Sequence, residues 1–499
     1  MPWIAIFALA FALRALNVWL LADTPLARTP HGDGRVYLEW ADAIRDGGFA
    51  GLWSGEVFYQ APLYPHLLAV FRSLFGESLF ALRIAQALVG ALTATLIGLA
   101  TSRMVGRRAG IAAGVLIAIY APSIWLDGLV QKSALVGFLC ASTLTVSTVD
   151  SQRGRIALGV AVGLLTLTRG EARLFAIALA AWVFTTRGGR ALVPYAAGLA
   201  LTLAPVLARN VVAGGEWILT TSQSGPNLYI GNAPGSLGTY APLVPGRGDA
   251  RSEAEDARRL AEAAETRTLT AREVSSHWRG RAVETMRGDP NAALGRFARK
   301  GILALNAAEL ADTDDFTRAA ESSFALRIGP GFGILLALAA AGAALATSDE
   351  RRRLSVPALL AATQWLALVA FFVFARYRLP LALALAPFAG LSLASLPRVR
   401  GRALAAAAVA LAIAHVPLEA ARPERGRAAA LVNEGVLLVD DDRPSEAEVL
   451  ATQAVELVPG FFDAHRLQGL ARLEQERPRD AIAPLERAHA LSPDDWQVR

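Results

Sequence analysis

The chain has 499 residues, 54% of them hydrophobic and only 18% charged, with a net charge of +6. A soluble domain carries about a quarter charged residues, so a soluble globular protein is excluded. The basic excess does not indicate a nucleic-acid partner either, because the arginines sit in short clusters between apolar runs, the pattern left by membrane insertion.

Apolar segments long enough to approach the roughly 20 residues of a membrane helix recur along the chain. They predict an all-α, polytopic membrane protein of about eleven spans: 3–22, 81–102, 109–126, 132–149, 156–168, 171–186, 191–208, 327–347, 355–375, 379–397 and 403–420. No lysine or arginine precedes the first run, so it reads as a membrane helix, not a cleaved signal. The fifth and sixth segments are short and read as a re-entrant or tilted hairpin. Cys140 is the only cysteine and lies within an apolar run, so no intrachain disulfide forms. Basic connectors occur at 103–108, 153–155, 187–190, 351–353 and 398–402. From a cytoplasmic N-terminus all of them fall on the cytoplasmic face, as the positive-inside rule requires. The loop 23–80 and the segment 209–326 are then external.

The chain divides into a membrane domain, 1–208, with its first outer loop at 23–80; an external subdomain, 209–326; further spans, 327–420; and a helical tail, 425–499. In the external subdomain, 256–268 and 270–287 have helical patterns, the second ended by Asp289-Pro290. The tail repeats at 34 residues. Gly435, Ala447, Ala451, Ala454 and Pro459 correspond to Gly469, Ala481, Leu485, Ala488 and Pro493, a spacing that resembles tetratricopeptide repeats. An ordinary pair of helical hairpins is the simpler reading, and His465 stands where a bulky residue is expected.

Two aspartates are candidates for chemistry. Asp33, between Gly32 and Gly34, suits an N-cap or a general base that deprotonates an acceptor hydroxyl. Asp127 closes the third span on the same outer face, as a second carboxylate or merely a solvated one. Arginines on that face have no use in orienting the chain. Arg376 and Arg378 bracket Tyr377, while Arg169 and Arg209 end the fifth and seventh spans. Guanidinium is the preferred bidentate partner of phosphate, so these four are candidate ligands of a lipid phosphate, with headgroup binding as the plainer role. No nucleotide-type Gly-rich loop, metal-ligand spacing or Ser-His-Asp signature stands out, and no cofactor is expected.

Asp33 with Tyr37, then Ala61-Pro62-Leu63-Tyr64-Pro65, Leu167-Thr168-Arg169-Gly170, Arg209-Asn210, Asn227-Leu228-Tyr229-Ile230-Gly231-Asn232 and Arg376-Tyr377-Arg378-Leu379-Pro380 follow one another along the chain. In this order they resemble the C-type (GT-C) glycosyltransferases, in the branch of protein O-mannosyltransferases and lipid A aminoarabinose transferases. The resemblance implies a sugar donor carried on polyprenyl phosphate, an acceptor on protein, lipid or glycan, and inverting transfer outside the cytoplasmic membrane. It implies Asp33 as base, the outer arginines on the donor phosphate, and Tyr37, Tyr59, Tyr64, Asn227, Tyr229 and Asn232 lining the site. Where the family often has Asp-Glu, this chain has Asp33-Gly34, which leaves the second acid to Asp127 or Glu39. The rival readings are a lipid-linked glycan transporter, for which no internal repeats of the membrane part are found, and a membrane-anchored assembly protein whose repeats bind a protein partner.

Overall fold

The computed structural model describes residues 1–53, 55–244 and 247–491, apart from the side chains of 49–52. Among these residues every regular element is a helix. Each of the eleven apolar segments carries one. Five helices are long and apolar enough to cross a bilayer by themselves: Pro2–Leu21, Leu79–Val105, Gly189–Gly214, Phe324–Leu345 and Ala375–Ala394. A sixth span arises if Arg107–Ala118 and Ala121–Asp127 are one helix, bent by 55° where Tyr120 precedes Pro122. Ser133–Ser147, Ser355–Ala370 and Arg402–Ala414 are shorter apolar helices. The chain is thus an all-α, multi-pass membrane protein, and eleven crossings is an upper reading of it.

Small residues let the helices approach closely, as membrane packing without a hydrophobic drive requires. Gly159 lies against the carbonyl of Tyr195 and Gly198 against that of Ile156, so a Cβ at either would clash. This seats Gln152–Thr168 on Gly189–Gly214. Gln152–Thr168 and its neighbour Ala172–Arg187 form a helical hairpin. At one end Arg155 and Arg187 both hold Asp150, and at the other Arg169 reaches the carbonyl of Arg376 at 2.9 Å. The pair therefore runs from a basic end to the opposite end and back.

At that opposite end lie Asp33–Leu52, Leu63–Phe75 and the 209–326 segment, where the sequence patterns become Ala250–Glu265 and Ala271–Gly288. The latter opens with a full capping box between Thr270 and Glu273. Asp289 ends it, as the Asp289-Pro290 signal predicts, and caps a further helix, Pro290–Leu303, which the sequence analysis did not name. Arg402–Ala414 packs along Phe332–Leu345, and Ala307 donates to the Ala414 carbonyl at 2.7 Å, so its far end reaches the external segment.

The tail forms two helical hairpins from Pro423–Asp440, Pro444–Leu457, Phe462–Glu474 and Pro478–Leu491. The residues at the 34-residue offset serve alike: Gly435 admits Leu467, Gly469 admits Leu485, and Ala447, Ala454, Ala481 and Ala488 are buried. His465 turns its ring to the Pro459 carbonyl at 2.9 Å. Pro493 lies outside the described residues. The first tail helix sits on the external segment through Arg318–Glu434, Arg427–Glu321 and a 2.7 Å bond from Asn433 to the Thr313 carbonyl.

Candidate functional site

Asp33 is the first residue of its helix, and its carboxylate turns away from that helix's backbone. One oxygen meets Arg376 at 2.8 Å and the other accepts from Gln60 at 3.3 Å. Arg376 follows the break between Ser355–Ala370 and Ala375–Ala394, which points its guanidinium across the end of the bundle opposite the basic connectors. There it also binds Asp312 at 2.8 Å and donates to Gln131 at 2.7 Å. Its guanidinium lies 5.1 Å from the Tyr377 ring, and Arg169 lies 4.2 Å from that same ring. Burial alone would raise the Asp33 pKa, but Arg376 and then Lys132 outweigh it and hold the carboxyl below its usual range. For Asp312, burial wins over Arg376, with Asp33 adding repulsion, and its pKa rises.

Two cavities meet here. The smaller, about 60 Å³, is lined by Asp33, Gln60, Glu253, Asp312 and Arg376. Glu253 comes from the external helix Ala250–Glu265 and accepts from the Tyr59 hydroxyl at 2.6 Å. Burial raises its pKa in spite of that bond. The larger cavity, about 260 Å³, brings Lys132, Arg169 and Arg173 against an apolar wall of Leu366, Leu368 and Phe371. Gln223, Asn227, Phe372 and Tyr377 line both cavities. A carboxylate chamber therefore adjoins a cationic, partly apolar one across a wall of four side chains.

Of the residues singled out in the sequence, Asp33, Arg376, Arg169 and Asn227 come together here, with Tyr59 beside Glu253. Tyr37 is buried behind Asp33 against Tyr64, whose hydroxyl donates to Gln86 at 2.6 Å. Asn232 joins the Ala370 carbonyl to Lys300, and Tyr229 packs on Trp278 in the external subdomain. Arg209 lies over the Phe58 ring and donates to the Glu56 carbonyl. Arg378 is buried on Glu309 at 2.6 Å and the Ala308 carbonyl at 2.9 Å.

Neither proposed second acid stands in the carboxylate chamber. Asp127 is buried on Arg14 at 2.7 Å and Ser123 at 3.3 Å, joining the first membrane helix to the bent pair. Glu39 is exposed and paired with Arg251. The acids that do stand beside Asp33 are Asp312 and Glu253, over two hundred residues along the chain, which local spacing could not reveal. Lys132 left one signal: it and Lys300 are the only lysines among 49 basic residues.

Residues 59–210 match the family of dolichyl-phosphate-mannose-protein mannosyltransferases. Among solved structures, ArnT from Cupriavidus metallidurans bound to undecaprenyl phosphate aligns at 16% identity over 97% of this chain and 80% of that one, with a TM-score of 0.44. The oligosaccharyltransferase AglB from Archaeoglobus fulgidus, in complex with an inhibitory peptide and a dolichol-phosphate, aligns at 15% identity over 94% of this chain and 57% of that one, with a TM-score of 0.42. No curated protein sequence matches significantly. The match across 59–210 covers the stretch that holds Ala61-Pro62-Leu63-Tyr64-Pro65, Leu167-Thr168-Arg169-Gly170 and Arg209-Asn210, and over it the chain is similar to the dolichyl-phosphate-mannose-protein mannosyltransferases.

Proposed function

We propose that the protein transfers a sugar from a polyprenyl-phosphate donor to an acceptor hydroxyl at the outer face of the cytoplasmic membrane, with inversion at the anomeric carbon. The observation that carries this reading is the pair of adjoining chambers. The lipid phosphate sits among Lys132, Arg169 and Arg173, with its first isoprene units on the Leu366 and Leu368 wall. The sugar passes the Tyr377 and Asn227 wall towards Asp33.

A sugar linked through phosphate already has a good leaving group, so no general acid is needed. What remains is to take the acceptor proton and to hold the charge of the departing phosphate, for which fixed cations in a partly dry cavity are suited. Asp33, ionised by its neighbours, takes the proton. Arg376 orients it and, with Arg169, carries positive charge to the border of the two chambers. Arg378, engaged by Glu309, fixes the start of that helix. Polar groups gathered around Asp33 favour an enzyme over a purely anchoring membrane part. The tail, docked beside this end, would serve to orient a protein partner or acceptor.

The test is transfer of radiolabelled sugar from a synthetic polyprenyl-phosphate donor by the purified chain in liposomes, beside the mass change of envelope glycoconjugates when the chain is deleted. Asp33→Asn should lower turnover by about 10²- to 10⁴-fold while the melting temperature holds, since Arg376 keeps Asp312 as counter-charge. An Asn variant that turns over normally removes Asp33 from the reaction.

A further inference from the structure

A third cavity, about 100 Å³, lies on the other side of the Arg376–Gln131 link. Its walls come from the end of the first membrane helix, the following loop, the start of Leu79–Val105 and the 314–322 segment, and Glu434 of the tail closes it. Its volume is several times what one water needs.

Three polar side chains facing this space have little to hold. Arg83 is only 8% exposed, yet its guanidinium makes no hydrogen bond and no ion pair among the described residues. The Asp314 carboxyl likewise has no hydrogen bond or ion pair there. The buried indole N–H of Trp125 is also without a partner. The other charged groups are taken: Arg318 by Glu321 and Glu434, and Asp315 by the backbone N–H of Arg318.

This set selects among ligands by charge. An anion on Arg83 would meet Asp314, Asp315 and Glu434 in the same cavity, and a cation would meet Arg83. A neutral group that both donates and accepts, as a hydroxyl does, satisfies Arg83 and Asp314 together. Val18, Leu21 and Leu26 form an apolar wall at the level where the first membrane helix ends, which suits a hydrocarbon joined to that polar head.

We propose that this cavity binds the hydroxylated head of a membrane amphiphile, a glycosyl or glyceryl lipid, between the membrane helices and the tail. The bound head lies next to Gln131, one side chain from the Arg376–Asp33 pair, and the tail completes its enclosure. The proposal does not depend on the transfer reaction, because binding is read without any donor.

The test is equilibrium binding of decyl β-D-glucoside, decylglycerol, decyl phosphate and decanol to the full chain in phosphatidylcholine nanodiscs. The expected result is saturable binding of the glucoside or decylglycerol, weakened about tenfold or more by Arg83→Met and unchanged in Asp33→Asn. Which of the two binds more tightly identifies the source of the head. Should Arg83→Met not fold, Asp314→Ala carries the same expectation. The proposal falls if decyl phosphate binds more tightly than both neutral heads, which would make this an anion site. It falls equally if decanol competes as well as they do, if no probe saturates, or if binding survives both substitutions.

Discussion

Asp33 and Asp312 share one guanidinium, and that sharing sets the titration of the proposed base. With Arg376 present, the Asp33 carboxyl is held below its usual range and is ionised near neutrality. Its protonation therefore does not limit the rate near neutrality. Arg376→Gln removes the cation and leaves burial, which acts in the opposite direction. The acid limb of kcat/KM should then move up by about 1–3 pH units. An unmoved limb would mean that the titrating group lies elsewhere. The same residue marks what one side chain's neighbours in sequence can reveal. Arg169 and Arg376 were legible as unusual charges at the ends of apolar runs, and Asp33 as an acid framed by two glycines in the loop after the first run. Asp312 and Glu253 were not, because they lie in polar stretches where acids are ordinary.

The break before Ala375–Ala394 is held by a helix of the 209–326 segment. Lys300, on Pro290–Leu303, donates to the carbonyls of Gly231 at 3.1 Å and Phe371 at 3.0 Å, and to the Asn232 side chain at 2.9 Å. Gly231 is required there, since a Cβ would stand 2.0 Å from the Phe371 carbonyl oxygen. The external helix thus fixes the turn from which Arg376 and Tyr377 project. Lys300→Met strands these acceptors and should cost about 1–3 kcal/mol for each group left unsatisfied. Thermal unfolding should fall and turnover with it, whereas the exposed Arg281→Met nearby should leave both unchanged. If Lys300→Met melts and turns over like the parent, the clamp is idle. Hydropathy located a helix in each apolar segment but not this clamp. Periodicity reports which face of a helix is apolar, and a lone buried lysine on a charged helix leaves no trace in it.

At the scale of the molecule, the proposed active end, the helices of the 209–326 segment and the tail share one end of the bundle, and the basic connectors gather at the other. Cysteines placed at Ser236 and Ser445 should both label with an impermeant reagent in intact cells, and a reporter that fluoresces only in the cytoplasm should stay dark after Arg499. Protection at Ser236 would invert the topology, and a bright reporter would move the tail inside. Asp314 sits where tail and membrane helices meet, and burial, reinforced by Asp312, pushes its pKa up to about 7. Between about pH 4, its unfolded value, and pH 7, the folded chain holds a proton that the unfolded chain has released. This group's contribution to stability is therefore present at low pH and lost as pH rises through 7. Unfolding temperature should drop from pH 5 to pH 8, and Asp314→Asn should flatten that slope; an equal slope in both would clear Asp314. The Arg14–Asp127 pair bears on how the protein is made. Arg14 enters the membrane with the first helix, 113 residues before its partner is synthesised, and a lone arginine at mid-bilayer costs about 2.5–3.5 kcal/mol. Pro2–Leu21 therefore has reason to linger at the insertion machinery until the bent pair arrives, so release into lipid need not follow the order of translation.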